Sequence, residues 1–105
     1  MVTDEQAEKA NDFIRDSADG YAKAKGERIY LEEFRKTQKA ILMQEVDGAE
    51  HIKAAYAYSH QEYINVLEGL KEAVIEEERL RWMMVAAQAK IEIWRTQQAN
   101  SRRGM

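Results

Sequence analysis

The chain has 105 residues, a third of them charged, a formal net charge of −3, and neither proline nor cysteine. That length suits one small domain with a modest core, and the missing cysteines exclude disulfides, thiolate metal sites and thiol catalysis. No apolar run approaches the ~20 residues needed to cross a bilayer, and no signal-peptide pattern opens the chain, so the expected compartment is cytoplasmic.

Ala, Glu, Lys, Arg, Leu and Gln dominate, which predicts an all-α protein. Thr3 and Gln6 match a capping box, and Asp4 and Glu5 complement the dipole of a first turn, so a helix should start near residue 4. Ala10, Phe13, Ile14, Ser17, Tyr21, Ala24, Arg28, Leu31, Phe34, Gln38, Ile41 and Leu42 follow a near-heptad stripe, predicting helix over about 4–46. Gly20 and Gly26 are its weak points; either could break it, and close packing against a bulky partner such as Trp82 would explain them.

Asp47-Gly48 is the one strong turn signal. A short helix is expected over 49–58, burying Ile52, Ala55, Tyr56 and Ala49. Ser59 with Glu62 offers a second capping box, which predicts a third helix over about 60–99 and makes His60 a first-turn residue. Its seam runs through Tyr63, Val66, Leu67, Leu70, Val74, Glu77, Leu80, Met84, Ala87, Ile91 and Trp94, and the basic tail 100–105 should fray.

Two long helices joined by a compact connector should pair antiparallel, as a coiled-coil-like hairpin in a single helical domain spanning 1–105. Pairing outward from the connector sets Phe13 near Ile91 and Trp94, and Arg28 near Glu77. Arg28 and Glu77 each stand where the stripe predicts an apolar residue. Either they share a polar layer that sets the register, or both reach solvent from the seam edge.

Residues 79–95 carry a second stripe beside the seam: Trp82, Val85, Ala86, Ala89 and Ile93. A helix in a two-helix hairpin needs one apolar stripe, so this one should be covered by another chain, and the protein is expected to be oligomeric.

Charge is divided unevenly. Residues 1–78 hold 10 Lys and Arg against 18 Asp and Glu, a net of −8; residues 79–105 hold six cations against Glu92 alone, a net of +5. Arg81, Arg95, Arg102 and Arg103, with Trp82 among them, are the residue types with which single-strand binders meet phosphates and stack on bases. Trp94, on the seam, reads as core. Trp82, on the surplus stripe, could equally anchor a partner helix.

Nothing points to catalysis. Glu76, Glu77 and Glu78, like Glu32 and Glu33, are consecutive on a helix and diverge by about 100°, which suits a solvated face rather than a metal. His51 and His60 lie in neither a Glu-x-x-His nor a His-Glu-x-x-His pattern. The chain is expected to be no enzyme and to need no metal or cofactor.

Three stretches carry a resemblance: Tyr30-Leu-Glu-Glu-Phe-Arg-Lys-Thr-Gln-Lys-Ala-Ile-Leu-Met43, Ala55-Tyr-Ala-Tyr-Ser-His-Gln-Glu-Tyr63, and Leu80 to Arg95 running on to Asn100-Ser-Arg102. Together they resemble a family of small, mostly uncharacterised helical proteins of temperate bacteriophages and prophages, encoded near recombination and replication genes. Proline often stands in that family where this chain has Gln61, which would suit a helix start. The resemblance implies the cytoplasm of a bacterial host and an accessory role in DNA recombination or replication, with binding to single-stranded DNA or a phage recombination protein through the basic C-terminal region. The alternative is a structural or regulatory protein–protein adaptor that never touches nucleic acid. Neither reading involves a membrane or a small-molecule substrate.

Overall fold

The computed structural model describes residues 1–104, and all regular structure among them is helical: α1, Asp4–Met43; α2, Glu50–Ser59; α3, Gln61–Arg103. Two compact units divide the chain. A terminal unit joins Met1–Ala22 to the chain from Glu78 onward, and a central unit holds Lys23–Glu77.

The α1 start is the capping box the residues predict. The Thr3 amide donates to Gln6 Oε1 (3.0 Å) and the Gln6 amide to Thr3 Oγ1 (3.1 Å), so two orphan donors of the first turn are satisfied reciprocally. α1 is unbroken at both glycines. A Cβ at Gly20 would lie 3.5 Å from Leu80 Cδ1, so the close neighbour is Leu80 rather than Trp82, whereas a Cβ at Gly26 would meet nothing within 4 Å. α1 ends at Met43, earlier than 46, because the Gln44 and Glu45 amides turn back onto Ile41 and Leu42 (3.1 and 3.0 Å) and tighten the last turn. Gly48 then takes φ +133°, which a side chain would resist.

α2 starts on Ala49, which supplies no side-chain cap. Its buried side differs from expectation: Ala57 is fully buried with Leu42 and Tyr63, and Tyr56 packs against them, while Ala49, Ile52 and Ala55 are exposed. The capping expected of Ser59 belongs to His60. Ser59 Oγ donates backward to the carbonyls of Ala55 (2.8 Å) and Tyr56 (3.2 Å), closing α2, while His60 Nδ1 accepts the Glu62 amide (3.0 Å) and opens α3.

α3 continues to Arg103, past the expected end at 99, so residues 100–103 are helical rather than frayed. Gly104 is the first residue there that favours stopping, its amide donating to the Asn100 carbonyl (3.0 Å), and Arg102 and Arg103 complement the negative end of the dipole.

Within each unit α1 and α3 run antiparallel. In the terminal unit Trp94 Nε1 donates to Asp4 Oδ1 (2.7 Å), the Val2 amide to Gln97 Oε1 (3.2 Å), and Gly20 meets Leu80. Phe13 borders a groove with Met83, Ala86, Ala87 and Lys90, the last of them the sequence neighbour of the expected Ile91. In the central unit Leu31 meets Gly69, and Gln38 Nε2 donates to Glu62 Oε2 (2.9 Å).

Small residues are prominent in both seams, beside Leu80 in the terminal unit and Tyr63 and Leu42 in the central one. Ala7, Ala10 and Ala87 are buried in the terminal unit and Ala24, Ala57 and Ala73 in the central one, and Leu42 is the one large side chain with no exposure among the described residues. Ala73 takes the seam position that the stripe assigned to Val74, which with Leu67 and Ile41 is exposed. Small side chains let helix axes approach closely, but each removes little apolar area from water. Larger apolar side chains are left outside.

Candidate functional site

The stripe on α3 is the most exposed apolar surface of the terminal unit. Trp82 is 58% and Ile93 51% exposed, and Val85, Ala86 and Ala89 are exposed with them. The helical period explains this. Leu80, Ala87, Ile91 and Trp94 turn toward α1, whereas Trp82, Ala89 and Ile93 lie about half a turn round the helix, which α1 cannot reach.

Trp82 is held in place. Its Nε1 donates to Glu78 Oε2 (2.9 Å), one turn back; the Arg81 guanidinium lies 4.8 Å from the indole centroid and 3.8 Å from the same carboxylate. Arg81, Trp82 and Glu78 thus form one surface cluster. The ring is anchored at its edge and stays open to a partner.

The remaining arginines do not join it. Arg95 pairs with Glu92 (2.8 Å) at an exposed position, and Arg102 and Arg103 are exposed in the last turn. At 1.5 Å per residue, Arg95 stands about 20 Å and Arg102 about 30 Å along the helix from Arg81, so these cations are strung out rather than convergent.

Folding also changes the electrostatics read from the chain ends. Residues 78–105 contain six cations and two carboxylates, and residues 1–22 contain two cations and six carboxylates. Laid together in one unit, they cancel. The terminal unit as a whole is therefore neutral by count, and its long-range attraction for phosphates is weaker than the tail composition suggests.

In the central unit Arg28 and Glu77 do share a layer. Arg28 Nε and NH2 both donate to the Glu77 carboxylate, the second at 3.1 Å, and NH1 donates to Glu32 Oε1 (3.1 Å). Glu77 is only 6% exposed. Hydrogen bonds to Glu77 first and to Glu32 second hold the Arg28 guanidinium still further above its usual range, against a smaller opposing effect of burial. This forked pair tolerates one relative placement of the helices, which suits a register device.

No protein-family model, curated protein or solved structure matches this chain. Among the described residues no three acidic or histidine side chains gather as metal ligands would, and no helix is long and apolar enough to cross a membrane.

One cluster escaped the sequence reading. Arg35, Lys36 and Lys39 of α1 share a cleft with Tyr58 of α2 and Tyr63 of α3. The three cations could have been seen on one helical face, but their meeting with two tyrosines about twenty residues on depends on how α2 packs.

Proposed function

We propose that the chain works by binding rather than by catalysis, as a helical adaptor that self-associates through the outer face of α3 formed by Trp82, Val85, Ala86, Ala89 and Ile93. The exposure of that face carries the reading. Its chain buries alanines and leaves Trp82 and Ile93 in water, an inversion of the usual order that a second chain would relieve. Trp82 suits an anchor, being large, held at one edge and presented at the N-terminal end of the stripe. The resemblance to temperate-phage proteins would set the further partner of such an oligomer among phage or host proteins. Replacing Trp82 and Ile93 together with glutamate should lower the mass measured by light scattering and leave the helical circular dichroism largely intact. An unchanged mass would refute the reading.

A second reading keeps the recombination-accessory role, with single-stranded DNA bound at the same end of α3. The Arg81 guanidinium stacked beside an exposed Trp82 favours it, because that pairing suits a phosphate and a base. The charge balance of the terminal unit ranks it second. The two readings compete for one indole: a Trp82 covered by a second copy cannot stack on a base. Anisotropy of labelled single-stranded and duplex DNA at low and physiological salt separates them. Salt-sensitive binding that weakens when Arg102 and Arg103 are removed would favour DNA.

A further inference from the structure

The cleft at the meeting of α1, α2 and α3 in the central unit has a volume of about 530 Å³, within the range of small-molecule sites. Arg35, Lys36 and Lys39 line it together with Tyr58, Tyr63, Ala40 and Met43, and no lining residue is a carboxylate. That is unexpected here, because the central unit holds eleven carboxylates against eight cations. Arg35 and Lys39, four apart on one helix face, are like charges where helices favour opposite ones.

These cations are poorly satisfied within the chain. Among the described residues Arg35 makes no hydrogen bond or ion pair, and Lys39 has only the Tyr58 ring, its ammonium 4.5 Å from the centroid. Lys36 makes one long, exposed pair with Glu33 (3.5 Å). Tyr63 is 8% exposed as a residue, and its hydroxyl, which makes no hydrogen bond to another described residue, is open to solvent. Tyr58 stands edge-on to Tyr63, ring centroids 5.3 Å apart and planes at 76°, so a half-exposed ring is held in a fixed pose. Unspent donors and a braced aromatic face therefore meet in one place.

We propose that this cleft binds a nucleotide. Arg35 and Lys39 take the phosphate oxygens, the Tyr63 hydroxyl donates a further hydrogen bond, and the face of Tyr58 away from Lys39 stacks on the base. An anion between Arg35 and Lys39 also relieves their mutual repulsion. The same chemistry is offered by a free nucleotide and by one nucleotide of a single strand. The site is independent of the outer face of α3, and either can fail alone.

The test titrates the full chain at low salt with adenosine triphosphate, inorganic phosphate and a short labelled oligothymidylate, using calorimetry and anisotropy. Saturable nucleotide binding is expected, weakened about tenfold or more by Arg35→Glu with Lys39→Glu and about threefold by Tyr58→Ala. Circular dichroism checks each variant, and Lys39→Ala alone serves if the double variant does not fold. Removal of Arg102 and Arg103 should leave this binding unchanged. Tighter, salt-sensitive binding of oligothymidylate would identify the strand as the source; equal or tighter binding of the triphosphate would identify the free nucleotide. Absence of saturable binding by any probe, an undiminished affinity in the Arg35 and Lys39 variants, or inorganic phosphate binding as tightly as the nucleotide would overturn the proposal.

Discussion

Leu42 is the side chain on which the central unit depends most. It has no exposure and contacts Ala57 of α2 and Tyr63 of α3, with Met43 and Tyr56 closing the cluster. Truncation to alanine removes the transfer free energy of the lost atoms and leaves a cavity; Leu→Ala in buried sites costs ~2.7–5 kcal/mol. Ala57 is too small to move into the space and Tyr63 is braced by Tyr58, so little collapse is available and a cost of ~4 kcal/mol is expected. Against a total of ~5–15 kcal/mol for a domain, that is a large share, and at roughly 4–8 °C per kcal/mol for this size the melting temperature should fall by about 15–30 °C. Leu42→Met should cost less than about 1.5 kcal/mol. Denaturant unfolding followed by circular dichroism, at one fixed protein concentration because self-association shifts apparent stability, measures both. A Leu42→Ala cost under about 1 kcal/mol would mean that α2 does not pack on the two long helices, and the cleft between Arg35 and Tyr63 would lose its basis.

Three further outcomes follow from local geometry. Gly26→Ala should stabilise by about 0.5–1 kcal/mol, since the new Cβ meets nothing and the helix gains propensity, whereas Gly48→Ala should destabilise because φ is +133°; thermal melts that moved in the same direction would contradict this. His60→Ala should cost about 1 kcal/mol by uncapping α3, and His60→Asn should recover most of it; equal losses in the two variants would remove His60 from the capping role. The Tyr56 hydroxyl, which donates to Glu45 Oε2 at 2.7 Å, is pushed above the usual phenol range, chiefly by that hydrogen bond and then by burial and the Glu45 charge. A folded value above the unfolded one means that its contribution is complete below about pH 10 and is lost as pH rises through the folded value. Absorbance titration should show one of the five tyrosines ionising late, and Glu45→Gln should bring it back toward the others.

What the residues determined by themselves is local. The Thr3 and Gln6 cap, the turn at Gly48 and three helices within a few residues of their bounds follow from propensity, capping and glycine geometry, which act over one turn of chain. The heptad stripes identified much of the faces on which α1 and α3 meet, though not at Ile41, Leu67 and Val74, and two charges standing out of pattern offered the Arg28–Glu77 layer as one of two readings. The surplus stripe was equally legible, because burial by a single partner helix can use only one face.

Tertiary structure decided whatever depended on axial placement or on neighbours far apart in sequence. Periodicity says which face is buried but leaves sliding along the axis open by a turn or more, and the fork of Arg28 on Glu77 is one of the contacts that fix it. Ser59 and His60 offered competing caps one residue apart, and the close of α2 took the serine and left the imidazole to α3. The positive count of the C-terminal end is balanced because antiparallel pairing laid it beside the acid-rich start of α1, and Arg35 and Lys39 met Tyr58 and Tyr63 only once α2 had packed. Electrostatics and clefts are properties of what lies across space. Sequence spacing determines them only where both partners share one helix.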